Sequence, residues 1–265
     1  MDVFDAFKAA QKQRWASFAP LQATTMVSAA RLVAHARLAS GARVLDVACG
    51  TGVVAVTAAR AGARVTGLDL TPELLTVARD NSRIAAVEID WHEGDVEQLP
   101  FGDATFDVVV SQFGHMFAPR PAVAIAEMLR VLKPGGTIAF STWPPELFVG
   151  RMFALVAQYL PAPPPGVAPP PLWGDANVIR ERLGLAVRDI VFDRAMVPVP
   201  ALSVAHYREM AERSSGPVVK LVDTLAATDP ARLAAFRADY DALAAQYFDQ
   251  NIIRQDYLMT RATKV

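Results

Sequence analysis

Residues 43–52, Arg-Val-Leu-Asp-Val-Ala-Cys-Gly-Thr-Gly, combine residue types that can do chemistry with a spacing that suggests which chemistry. Val44, Leu45 and Val47 form a short apolar run, as expected for a strand buried on both faces. Asp46 interrupts that run, where a charge costs several kcal/mol unless it is paired or functional. Gly50-Thr51-Gly52 lets the backbone turn sharply and approach a ligand closely, and Val53 to Arg60 reads as the helix that follows. A strand, a glycine turn and a helix N-terminus make a nucleotide-cofactor site. The spacing Gly50-x-Gly52-x-x-Ala55, with Asp69 further along, formally fits a dinucleotide. A loop that wraps a pyrophosphate is poorly served by a carboxylate just ahead of it, however. Asp46 instead suits a cofactor with a cationic end.

At this point the chain resembles the class I methyltransferases that use S-adenosylmethionine (SAM), whose first motif is an acid followed by a glycine-rich turn. SAM carries both an ammonium and a sulfonium. Four more segments carry the resemblance, in order. Val65-Thr66-Gly67-Leu68-Asp69 looks like the second strand, with an acid at its end for the ribose hydroxyls. Glu93-Gly94-Asp95-Val96 resembles the end of the third strand, beside the adenine. Leu99-Pro100-Phe101 and Phe106 to Ser111 resemble the approach to the fourth strand, beside the transferred methyl. Leu132-Lys133-Pro134-Gly135-Gly136 looks like the turn into a fifth strand over Thr137 to Thr142. The resemblance spans residues 41 to 143. It implies a cofactor set of Asp46, Ala48, Gly50, Gly52, Asp69, Leu70, Asp95, Val96, Ser111 and Gln112, with S-adenosylhomocysteine as the product and no metal.

Several of these positions have a plainer alternative. The family pattern often has glycine at position 48; a methyl there restricts the backbone only mildly provided φ stays negative. Asp69 could be a helix N-cap, but Thr71-Pro72-Glu73 supplies its own helix start, which leaves Asp69 free for ribose. Cys49 reads as a small hydrophobe. His115, just past the fourth strand, is the candidate general base, because a free imidazole titrates near neutral pH. A packed or capping histidine is the alternative. Trp15, Phe113, His206 and Tyr207 are the candidate residues for the acceptor pocket. Tyr207, Met210, Phe236, Tyr240 and Tyr247 recur at helical spacing, a pattern that builds cores more often than substrate boxes. No cluster has metal-ligand spacing.

Composition narrows the class. The chain has 265 residues, 52% of them hydrophobic, and a formal net charge of −1. No apolar run reaches the ~20 residues needed to cross a bilayer. The first residues, Met1 to Phe7, lack a signal-peptide pattern, and the single Cys49 fits a reducing cytoplasm. With no basic block, a nucleic-acid partner is disfavoured. The expected partner is a small-molecule acceptor.

These residues need a scaffold, and the pattern beyond the motifs predicts one. Helices are expected over residues 2–19 and 24–38, lying across the cofactor cleft in the resembling family. The core alternates strand and helix, which implies an α/β, Rossmann-like, doubly wound, mostly parallel sheet. A helix over Leu147 to Leu160 and a proline-rich connector over 161–171 follow. A sixth strand is expected over Val187 to Val199, helices over 201–248, broken near Ser214 to Pro217 and at Asp229-Pro230, and an antiparallel last strand over Asp256 to Lys264 that alternates like an edge strand. The expected organisation is a single unit, 1–265. Its parts are a lid (1–40), a SAM-binding core (41–143), a connector and sixth strand (144–200), a helical insertion (201–250) and the last strand (251–265). Two other functions fit less well: a SAM-binding protein that does not methylate, and an NAD-linked oxidoreductase.

Overall fold

β-Branched and leucine-rich runs between glycine turns and amphipathic helices give a sheet with helices on both faces. The computed structural model describes residues 3–265, so Asp2, at the expected start of the first helix, lies outside the described residues. Two helices, α1 (Val3–Trp15) and α2 (Gln22–Ala36), precede β1 (Arg43–Val47). The units α3 (Val53–Arg60), β2 (Arg64–Asp69), α4 (Pro72–Ile84), β3 (Ile89–Glu93), β4 (Phe106–Gln112), α5 (Pro121–Val131) and β5 (Leu132–Thr142) follow. Beyond them lie α6 (Phe148–Tyr159), α7 (Ala176–Leu183), β6 (Val187–Pro200), three helices α8 (Val204–Ser214), α9 (Gly216–Thr228) and α10 (Pro230–Ala245), the short β7 (Phe248–Asp249) and β8 (Ile252–Lys264).

The strand order is β3-β2-β1-β4-β5-β8-β6. β1 to β5 are parallel, and β8 runs antiparallel to both β5 and β6. Chain order therefore reverses beside β1, whose neighbours are β2 and β4, and such a switch point opens a crevice at the strands' carboxyl ends. Alternation along β1 sends Val44 into the layer beneath α2 and α3, and Leu45 and Val47 into the larger layer that includes α5 and α7. Asp46 shares Val44's side and so faces α3.

One sequence expectation about the sheet is corrected. The last strand is not an edge: β8 lies between β5 and β6, and Tyr257 to Thr260 are buried. Its alternating charges come from the ends of the strand, and the middle has none. The edge at this end of the sheet is β6, which carries Arg188, Asp189, Asp193 and Arg194, a bulge between Arg188 and Val191, and Pro198 and Pro200. These are features that discourage another strand from pairing there. The helical insertion breaks where Pro and the capping residues placed the breaks: Asp229 accepts from Arg232 N–H at the start of α10, with Pro230 at its first turn.

Candidate active site

The carboxyl ends of β1, β2 and β4 and the loops after them line one deep cleft, roofed by α1 and the start of α2. It has two halves of different character. The half over β1, β2 and β3 carries Asp46, Ala48, Gly50, Asp69, Leu70, Asp95 and Val96. The half over β4, β5, β6 and β8 is apolar and includes Phe113, Trp143, Met152 and Tyr207.

Asp46 is 1% exposed. Its Oδ2 accepts the Ala55 N–H at 2.9 Å, in the first turn of α3, while Oδ1 is buried without a partner. Burial pushes this carboxyl up to about 8, against the pull of the Ala55 N–H and with a further push from the charge of Asp69. A buried acid with an open oxygen is a seat for a cationic donor, whose charge would return the group to its ionised form. Gln112 presents a second such oxygen: its Nε2 donates to the Thr25 carbonyl at 3.0 Å, and its buried Oε1 has no partner. Two unpartnered acceptors in one cleft fit the ammonium end of SAM, which is rich in N–H donors.

Asp69 spans the glycine turn. Its Oδ2 accepts Gly50 N–H at 2.7 Å and its Oδ1 accepts Thr71 N–H at 2.8 Å. Burial raises its pKa, and these N–H bonds offset part of the rise. Thr71 stands at the N-cap position of α4, but its side chain makes no cap bond, so Asp69 is not left free as the sequence suggested. Each carboxylate oxygen still has a lone pair to offer a hydroxyl. At Gly50 φ is +54, and a Cβ built there would meet nothing within 4 Å, so the backbone lies open to the cleft.

Asp95 is already occupied from above. Lys8 of α1 reaches its Oδ2 at 2.6 Å and Glu97 Oε2 at 2.5 Å. Burial pulls the Lys8 ammonium down, but the two carboxylates outweigh it and hold it above its usual value. Lys12 pairs with Glu93 one turn along. Trp15 packs on Phe117 at 4.7 Å and lines the cleft. Helix α1 is thus pinned across the cofactor half by ion pairs to the acids at and just after the end of β3.

Five expectations fail on this geometry. Ala48 does not keep a negative φ: it sits at +53, in the left-handed region, and Gly114 beneath it leaves room for its methyl. Gly52 is not on the cleft wall. At φ +78 it caps α3, and a Cβ there would meet the Trp91 ring at 2.5 Å, so it serves packing. Ser111 is buried away from the cleft, donating to the Val47 carbonyl at 2.7 Å. His115 is no general base, being 0% exposed. It packs against Phe140 and Trp173, each at 4.7 Å, and burial pulls its imidazole down to about 3. His206 lies exposed at the start of α8, where its Nδ1 accepts the Leu202 N–H. The sequence reading missed Lys8, Trp143 and Gln255. Only the sheet order brings Gln255, on β8, to this cleft, and no local spacing signals that.

The fold and the site define a Rossmann-like enzyme with an acidic cofactor half. Comparison with known proteins agrees. A family model described as a methyltransferase domain matches residues 45–140. An uncharacterised protein of Mycobacterium tuberculosis is 35% identical over 235 residues, covering 88% of this chain and 85% of its own. The ubiquinone biosynthesis O-methyltransferase of Xanthomonas campestris is 38% identical over 141 residues, 52% of this chain and 59% of that one. Among solved structures, the YcgJ protein of Bacillus subtilis is similar in fold, with a TM-score of 0.62 at 19% identity over 89% of this chain and 97% of that one. The chain belongs to the class I SAM-dependent methyltransferase family, and its cofactor is SAM.

Proposed function

We propose that the protein methylates a small, partly apolar molecule held in the half of the cleft over β4, β5, β6 and β8. The observation that carries this reading is the division of the cleft: among the described residues, every charged side chain on its wall (Lys8, Asp46, Asp69, Asp95) lies on the cofactor side. On this reading Asp46 and Gln112 hold the ammonium, Asp69 and the Gly50 backbone hold the ribose end, and Asp95 and Val96 flank the adenine. The bound cofactor supplies a methyl group already activated by its sulfonium. The chain's own part is to align the acceptor atom with the methyl–sulfur axis and to keep water out. With His115 withdrawn, no histidine among the described residues lines the cleft. A general base is therefore not part of this reading, and the acceptor supplies its own nucleophile. The relative named for O-methylation supports oxygen as the receiving atom. We further propose that residues 1–265 work as one unit, with α1 as its lid, in a reducing compartment suited to the lone thiol of Cys49.

Incubating the protein with methyl-labelled SAM and a cell extract tests this. The label is expected in an organic-extractable small molecule. Label in protein or RNA would contradict the reading.

A further inference from the structure

The apolar half of the cleft is specific enough to narrow the acceptor's chemistry. Its floor is an aromatic pair: Phe113 and Trp143 stack with centroids 3.9 Å apart and planes 10° apart. Phe113 holds that position in left-handed backbone, φ 61, with its N–H donated to the Ser141 carbonyl and its ring against Tyr257 at 5.4 Å. A bulky aromatic rarely adopts this conformation unless its surroundings enforce it. Met152 and Phe153 of α6 and Val197 and Val199 of β6 complete an uncharged wall. An ion moved onto such a surface loses hydration without gaining a counter-charge. A flat ring gains stacking and dispersion there.

One polar pair interrupts the wall. Gln255 Nε2 donates to Tyr207 Oη at 2.8 Å. Tyr240 packs beside it, its ring 6.2 Å from that of Tyr207. Oη accepts from Gln255, so its own hydrogen is left to donate, and Gln255 Oε1 is left to accept. Burial pushes the Tyr207 phenol up to about 12, so it remains a donor and does not act as a base.

We propose that the acceptor is an uncharged planar ring compound with at least two oxygens, one read by the Tyr207–Gln255 pair and one, an acidic ring hydroxyl, receiving the methyl group. An aliphatic alcohol would need a base that the wall does not provide. An amine would arrive or leave as a cation. An acidic ring hydroxyl needs neither. Its oxygen bonds to the methyl carbon as the carbon–sulfur bond breaks, and its acidic proton is released to the bulk solvent outside the cleft, leaving a methyl ether and S-adenosylhomocysteine. The inference rests on the reading above, that this half of the cleft receives the acceptor.

Calorimetry on the protein saturated with S-adenosylhomocysteine tests it with three probes: dihydroxynaphthalene, hydroxynaphthoate and naphthylmethylammonium. The neutral diol is expected to bind at least roughly tenfold more tightly than either ion. Tyr207→Phe and Gln255→Leu are each expected to weaken the diol roughly tenfold, the equivalent of one buried hydrogen bond, with S-adenosylhomocysteine affinity retained. The ranking of probes is read on the unmodified protein and does not depend on the variants folding. An ion that binds as tightly as the diol would overturn the inference. So would a protein that binds none of the three, or variants that both hold the diol as before. Failure of S-adenosylhomocysteine itself to bind would instead strike the cofactor reading.

Discussion

At the scale of single residues, two buried ionisable groups set opposite pH dependences. Asp46 ionises near 3.9 when unfolded and at about 8 in the fold. Between those values the native state holds a proton that the unfolded chain has lost, so stability falls as pH rises, by up to roughly 1.4 kcal/mol per unit. His115 ionises near 6.5 when unfolded and at about 3 in the fold. The unfolded chain then holds the extra proton, and stability falls as pH drops. Denaturant titrations across pH should show the stability gain of Asp46→Asn over the parent growing as pH rises from about 4 to 8. The gain of His115→Leu should grow as pH falls below about 6.5. Ala48 adds a strain argument: at φ +53 an alanine pays a left-handed penalty that glycine escapes. Ala48→Gly should therefore stabilise the free protein by up to about 1 kcal/mol in thermal melts.

At the scale of elements, the glycine turn is braced as much as it is opened. Trp91 on β3 lies over the turn and over Gly67, its register partner on β2. A Cβ at Gly67 would meet the Trp91 ring at 2.3 Å, and one at Gly52 would meet it at 2.5 Å. Gly67→Ala should thus cost several kcal/mol in melts, and Trp91→Leu in the same chain should recover part of that loss. The contrast shows what could be read from the sequence. Motifs in which the functional residue and the turn are contiguous, such as Asp46 to Gly52, gave the strand, the helix and the cofactor half directly. Gly52 was legible as necessary but not why, because Trp91 is 39 positions away. His115 misled because its loop lies beside the cleft in sequence, while its ring turns under β5 toward Phe140. Gln255 and the interior position of β8 depend on strand order, which periodicity does not encode.

At the scale of the whole molecule, the cleft is closed by charge. Lys8 and Lys12 of α1 pair with Glu93 at the end of β3 and with Asp95 and Glu97 after it, and Glu97 is buried between Lys8 and Arg120. Lys8→Met leaves the Glu97 carboxylate one partner short and frees one end of the lid. Amide exchange in residues 3–15 should then accelerate at least tenfold while exchange in β1 and β4 is unchanged; unchanged exchange in α1 would show that packing of Trp15 alone holds the helix. The account as a whole turns on the cationic seat. Calorimetric titration with SAM at pH 7, in buffers of different ionisation enthalpy, tests it most directly. With Asp46 protonated in the free protein and ionised beside the ammonium, binding should release close to one proton, and Asp46→Asn should release none and bind at least roughly tenfold more weakly. Binding without proton release, or equal affinity in the variant, would contradict the assignment of Asp46 and with it the orientation of the cofactor in the cleft.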